Sequence, residues 1–111
     1  MEIPIACTLG KEQASDRLEE WRHFLGSSIE AADPAGPDRL RLRLDPSPET
    51  LIAAVDLARR EKSCCGFFEF SIDLQPDGNW LVVGVPPDAA AVLADFSRLV
   101  PQVLFAGDQG Q

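Results

Sequence analysis

From Arg39 to Leu44 the chain reads Arg-Leu-Arg-Leu-Arg-Leu, an unbroken alternation of charge and hydrocarbon. A helix would spread those leucines around its circumference. Only a β-strand, whose side chains alternate with period two, gathers Leu40, Leu42 and Leu44 on one face and Arg39, Arg41 and Arg43 on the other. Such a strand belongs to a sheet that is wet on one side and buried on the other, so apolar elements must lie over the leucines.

Three segments carry the helical period that such a cover requires. From Lys11 to Ile29, the residues Ala14, Leu18, Trp21, Leu25 and Ile29 trace one face of an amphipathic helix of about five turns. Ser47-Pro48-Glu49-Thr50 is a helix start, with a hydroxyl cap, a proline at the first helical position and an acid in the first turn. This second helix is expected to run to about Cys65 with Leu51, Ala54, Val55, Ala58 and Cys65 inward, and Gly66 offers its left-handed stop. Ala89, Val92, Leu93, Phe96 and Leu99 mark a third helix that ends near Pro101.

Further strands follow from the same two-residue period. Ile3, Ile5 and Cys7 suit a short first strand, which Pro4 confines to an edge or to its own start. Phe68, Phe70, Ile72 and Leu74 alternate with Phe67, Glu69, Ser71 and Asp73. Pro76-Asp77-Gly78 then turns the chain into a partner strand from Trp80, giving a hairpin over residues 67–85. Ala31 to Asp38, with two prolines and a glycine, reads as a surface loop. The resulting order is β-α-β-α-β-β-α, an α+β two-layer sandwich whose mixed or antiparallel sheet carries helices on one face. Residues 1–106 form one domain and residues 107–111 a frayed tail. If the arginine strand lies beside the Glu69/Ser71/Asp73 strand, their exposed rows are charge-complementary. Phe67 or Trp80 left on the open face would draw a second copy onto it, making a homodimer through that face.

The 111 residues, 45% hydrophobic and 25% charged, suffice for a core without staples. No apolar run approaches the roughly 20 residues of a membrane span. The acidic opening Met-Glu-Ile-Pro-Ile has no signal-peptide character, which implies a cytoplasmic protein. With 10 Lys and Arg against 18 Asp and Glu, the net charge of −8 argues against nucleic acid as a partner. It also favours the arginine row as the solvated face of a strand over an anion track.

The remaining chemistry lies in three cysteines, an odd number that fits reduced thiols better than disulfides. Cys64 and Cys65 close the second helix and Cys7 ends the first strand. If folding gathers them, three thiolates select thiophilic ions such as Hg(II), As(III), Cu(I) or Zn(II). Glu61, in phase with Ala58 and Cys65, is a candidate fourth ligand or general base, against the plainer reading of a solvated glutamate at the sheet edge. The alternative for the cysteines is that of small buried hydrophobes in a protein-interaction or dimerisation module. A thiol enzyme fits poorly. The cysteines lie near a helix C-terminus, whose dipole opposes a thiolate, and the single His23 lies nearly opposite the Trp21/Leu25 stripe.

Ile5-Ala6-Cys7-Thr8-Leu9, the Arg17/Trp21/Leu25 helix and Glu61-x-x-Cys64-Cys65-x-Phe67-Phe68-x-Phe70 together resemble a small bacterial cysteine-pair domain. That domain occurs in stand-alone proteins and as a segment appended to MerR-type metal-responsive regulators. The resemblance spans about residues 5 to 97 and is most specific at the Cys-Cys-x-Phe-Phe run. The winged-helix DNA-binding half of those regulators has no counterpart here. The resemblance implies sensing, buffering or delivery of a thiophilic metal or metalloid, with Cys7, Cys64 and Cys65 at the matching positions.

Overall fold

The leucine row is the floor of the core. In the computed structural model, which describes residues 11–64 and 68–105, Leu40, Leu42 and Leu44 are all buried. The side chains of residues 11–15 and Cys64 lie outside that description, as does the strand expected at Ile3–Cys7. The described chain runs α1 (Lys11–Ser27), β1 (Ile29–Pro34), β2 (Arg39–Leu44), α2 (Pro48–Cys64), β3 (Glu69–Gln75), β4 (Gly78–Gly84) and α3 (Ala90–Ser97). Short 3-10 turns at Pro87–Ala89 and Gln102–Leu104 flank α3. The fold is α+β as expected, and all strand pairings in the sheet are antiparallel in the order β1-β2-β4-β3. Trp21, Leu25, Ala54, Leu57, Leu93 and Phe96 pack with the leucine row and with Leu81 and Val83 of β4 in one cluster. Among the described residues no helix is long and apolar enough to cross a membrane.

Four departures from the sequence expectation have physical causes. Residues 29–34, read as the end of a helix and a loop, form β1 instead. Ala35 N–H donates to Arg39 O, so the alternation leaves residues 32 and 34 of β1 facing the open edge, where the N–H that Pro34 lacks is not missed. Ile29 is buried, as expected, but from the strand. Second, α2 buries Thr50, Ala54, Leu57, Ala58 and Glu61, a stripe rotated away from the expected one, and Val55 is 47% exposed. Packing against α1 pulls Leu57 inward and turns Val55 out.

Third, β2 does not adjoin β3. The hairpin, closed by Pro76 and Asp77, puts β3 on one edge of β4, and β2 takes the other. The charge pairing nevertheless forms, because Arg39 reaches over Gly84 to place Nη2 3.1 Å from Glu69 Oε1. A Cβ at Gly84 would overlap that guanidinium. Fourth, Trp80 is only 8% exposed, with the Arg41 guanidinium 4.1 Å above its ring. The open face at Trp80 is therefore capped by charge, and Phe67 lies outside the described residues.

A clamped carboxyl at the end of helix α2

Two helices each carry one charged residue in an otherwise apolar stripe. On α1, Arg17 stands one turn before Trp21; on α2, Glu61 continues Ala54, Leu57 and Ala58. The helices run antiparallel. Phe24 and Ser28 of the α1 end border the same groove as Thr50 and Ala53 of the α2 start, while Arg17 and Trp21 meet Glu61. The two stripe charges are thereby brought together, which is the arrangement that lets ions leave water. Outside the stripe, Arg60 grips both carboxylate oxygens of Glu20 at 3.0 and 2.9 Å, fixing how the helices slide against each other.

Glu61 is wholly buried. Its Oε1 accepts hydrogen bonds from Arg17 Nη1 and from Trp21 Nε1, both at 3.1 Å. The indole that donates is itself locked. It stacks on Phe70 with ring centroids 6.1 Å apart and meets Phe96 edge-on at 5.1 Å. Glu61 Oε2, equally buried, has no hydrogen-bond partner among the described residues. Burial pushes the Glu61 carboxyl above its ordinary range, and the bonds from Trp21 and Arg17 pull back against that rise. The result is a carboxyl held by one oxygen, with the other oxygen unsatisfied inside the protein. Buried polar atoms without partners are uncommon, and each calls for an explanation such as a proton, an ion or a ligand.

The position of this carboxyl matters as much as its state. Glu61 lies in the last turn of α2, which ends at Cys64, and Phe68 resumes the described chain as a buried core residue. Of the expected metal ligands, Glu61 is placed; Cys7, Cys65 and the side chain of Cys64 lie outside the described residues. Among the described residues no group of three His, Cys, Asp or Glu side chains is placed to hold a metal. His23 is exposed and borders the groove between α1 and α2.

Sequence reasoning placed Trp21 in the core and quoted Arg17 beside it, but assigned neither to Glu61. The available signal was an arginine in phase with Trp21 and a glutamate in phase with Ala58, one unlike charge in each stripe.

The arginine row is not a free anion track. Arg39 pairs with Glu69, Arg41 lies 3.7 Å from Asp33, and Arg43 lies 3.7 Å from Glu30 and donates to the Asp77 carbonyl at 2.6 Å. Phe68 and Phe70 pack with each other at 5.6 Å, and Phe68 with Phe96 at 6.0 Å, as core side chains do. No protein-family model matches the chain, and neither a curated protein nor a solved structure is significantly similar to it.

Proposed function

We propose that this chain binds a thiophilic metal or metalloid ion through thiolates of Cys7, Cys64 and Cys65, with the Glu61 carboxyl at the edge of the site. The observation that carries this reading is the buried Oε2 of Glu61, which has no partner among the described residues and stands three positions before Cys64, where α2 ends. A carboxyl clamped by Arg17 and Trp21 through Oε1 keeps Oε2 as its one available donor atom. An ion beside it would satisfy that oxygen, and burial, which raises the carboxyl's pKa, favours its protonated form when no ion is bound. The chemistry needs reduced thiols, which the cytoplasm maintains. Binding releases the thiol protons to solvent.

The donor set sorts the ions. Hg(II), As(III) and Cu(I) are satisfied by sulfur alone, so Glu61 would stand by as a neighbour. Zn(II), which completes a tetrahedron with mixed donors, would take the carboxylate oxygen as its fourth ligand. Mass spectrometry under non-denaturing conditions, on reduced protein offered each ion in turn, tests the reading. Retention of one ion by the native chain, and not by the Cys7→Ser/Cys64→Ser/Cys65→Ser triple variant, is the expected result. Glu61→Gln should weaken Zn(II) retention and leave Hg(II) and As(III) retention intact. If no ion is retained above the triple variant, the reading fails.

A further inference from the structure

We infer that the chain self-associates through the free edge of β3, pairing that strand antiparallel with β3 of a second copy about a two-fold axis at Ile72. The two edges of the sheet are not alike. Along β1, Pro34 removes a donor and Ala32 is already bridged to Phe105. Along β3, seven residues from Glu69 to Gln75 run in unbroken register, and among the described residues nothing pairs with their outer side. An open, regular edge is a template for another strand.

The backbone alternation shows which groups are on offer. Val85 N–H donates to Asp38 O, so residues 81, 83 and 85 turn their amides toward β2, and residues 78, 80, 82 and 84 turn theirs toward β3. The bonded partners in β3 are then Glu69, Ser71, Asp73 and Gln75. Phe70, Ile72 and Leu74 direct their N–H and C=O groups outward, ready for a new ladder.

Pairing length and charge together favour one register for a second copy of the strand. A two-fold at Ile72 pairs all seven residues, setting Glu69 opposite Gln75, Ser71 opposite Asp73 and Phe70 opposite Leu74. Moving the axis to Ser71 sets Glu69 against Asp73, and moving it to Asp73 sets that carboxylate against itself. Like charges placed opposite destabilise a strand pair. The strand is thus self-complementary in the one register that uses its whole length, which is the requirement of a two-fold interface.

Apolar surface gathers at the same edge. Beside β3 a mainly apolar groove of about 280 Å³ is lined by Val55, Ala58, Phe70, Ile72 and Leu81, and also by Arg59 and Lys62 of α2. Among the described residues the exposed large hydrophobics are Ile52 at 68%, Val55 at 47%, Leu74 at 65% and Val103 at 80%. Of these, Val55 lines the groove and Leu74 belongs to β3 itself. A two-fold perpendicular to the sheet keeps both α2 helices on one side, bringing Val55 of each copy toward the seam.

Sedimentation equilibrium over a range of concentrations, on full-length reduced protein without added metal, tests the inference. Ser71 is exposed, so its variants leave the monomer intact. Ser71→Lys should tighten the dimer about tenfold and Ser71→Asp weaken it about tenfold, because two symmetry-related pairs with Asp73 change at once. Leu74→Lys should also weaken it. Amide exchange at Phe70, Ile72 and Leu74 should slow as protein concentration rises. A monomer at every concentration overturns the inference, as does equal behaviour of the two Ser71 variants. Amides at these three residues that are protected independently of concentration also overturn it, since the edge is then covered by the chain's own residues. None of these readouts involves a metal, so they stand apart from the thiolate proposal.

Discussion

Glu61 is a position where hydrocarbon would serve packing better, and its carboxyl is tolerated because Arg17 and Trp21 meet it. Replacing a buried ion pair by apolar residues is often harmless, but removing one partner alone costs about 3–5 kcal/mol. Arg17→Met should therefore destabilise the fold by about 3–5 kcal/mol in urea titration. Arg17→Met with Glu61→Met should lose less than Arg17→Met alone, since no buried polar atom is then abandoned.

The pH dependence has a definite sign. Burial raises the folded-state pKa above the ordinary 4.5, so the folded protein keeps this proton to higher pH than the unfolded chain does. The stability due to proton retention is full below that ordinary value and is lost as pH rises through the folded one. Glu61→Gln cannot ionise, so its urea midpoint relative to the native chain should climb over a range of pH that begins at the ordinary carboxyl value of 4.5 and extends upward. A constant difference across that range would show that Glu61 is charged in the fold. The phase of Glu61 was legible in the sequence because Ala54, Ala58 and Glu61 share one helical period. Its partner was not legible, since nothing local specifies which face of another helix will arrive.

At the scale of elements, the sequence was most legible where a period ran uninterrupted. The Arg-Leu alternation became β2 with residue bounds as read, and the hairpin closed at the expected turn. The misreading of residues 31–34 came from treating proline and glycine as uniformly disruptive. Pro34 is compatible with a strand whose unused side faces outward, and only the pairing with β2 reveals which side that is. The interleaving of β4 between β2 and β3 was likewise set by long-range pairing.

That order imposes a requirement on Gly84, over which Arg39 must pass to reach Glu69. Glycine in a strand otherwise loses about 0.5–1 kcal/mol relative to alanine. Gly84→Ala should therefore stabilise the protein by about that much in an Arg39→Ala background and by less, or not at all, in the native one. Thermal denaturation of the four proteins of this cycle measures the coupling. Additive effects would mean that the guanidinium does not lie over Gly84.

For the whole molecule, the net charge of −8 acts on any association of two copies. The β3 pairing sets no acid directly opposite an acid, and Asp73 of each copy meets Asp73 and Glu69 of the other only diagonally. The long-range repulsion of two acidic monomers is a separate quantity, and salt screens it with a Debye length of about 10 Å at 0.1 M. An interface held by backbone hydrogen bonds and apolar side chains depends weakly on salt, whereas the repulsion depends on it strongly. Raising NaCl from about 20 mM to about 300 mM should therefore tighten the dimer, the opposite of what an interface held by ion pairs would do. In Ser71→Lys the new lysine faces Asp73 of the second copy, an attraction that salt weakens, so its dimer should gain less from salt than the native one. Sedimentation velocity on both proteins at the two salt concentrations separates these contributions. Native dimers that loosen as salt rises would place charge, not the strand edge, at the centre of the contact.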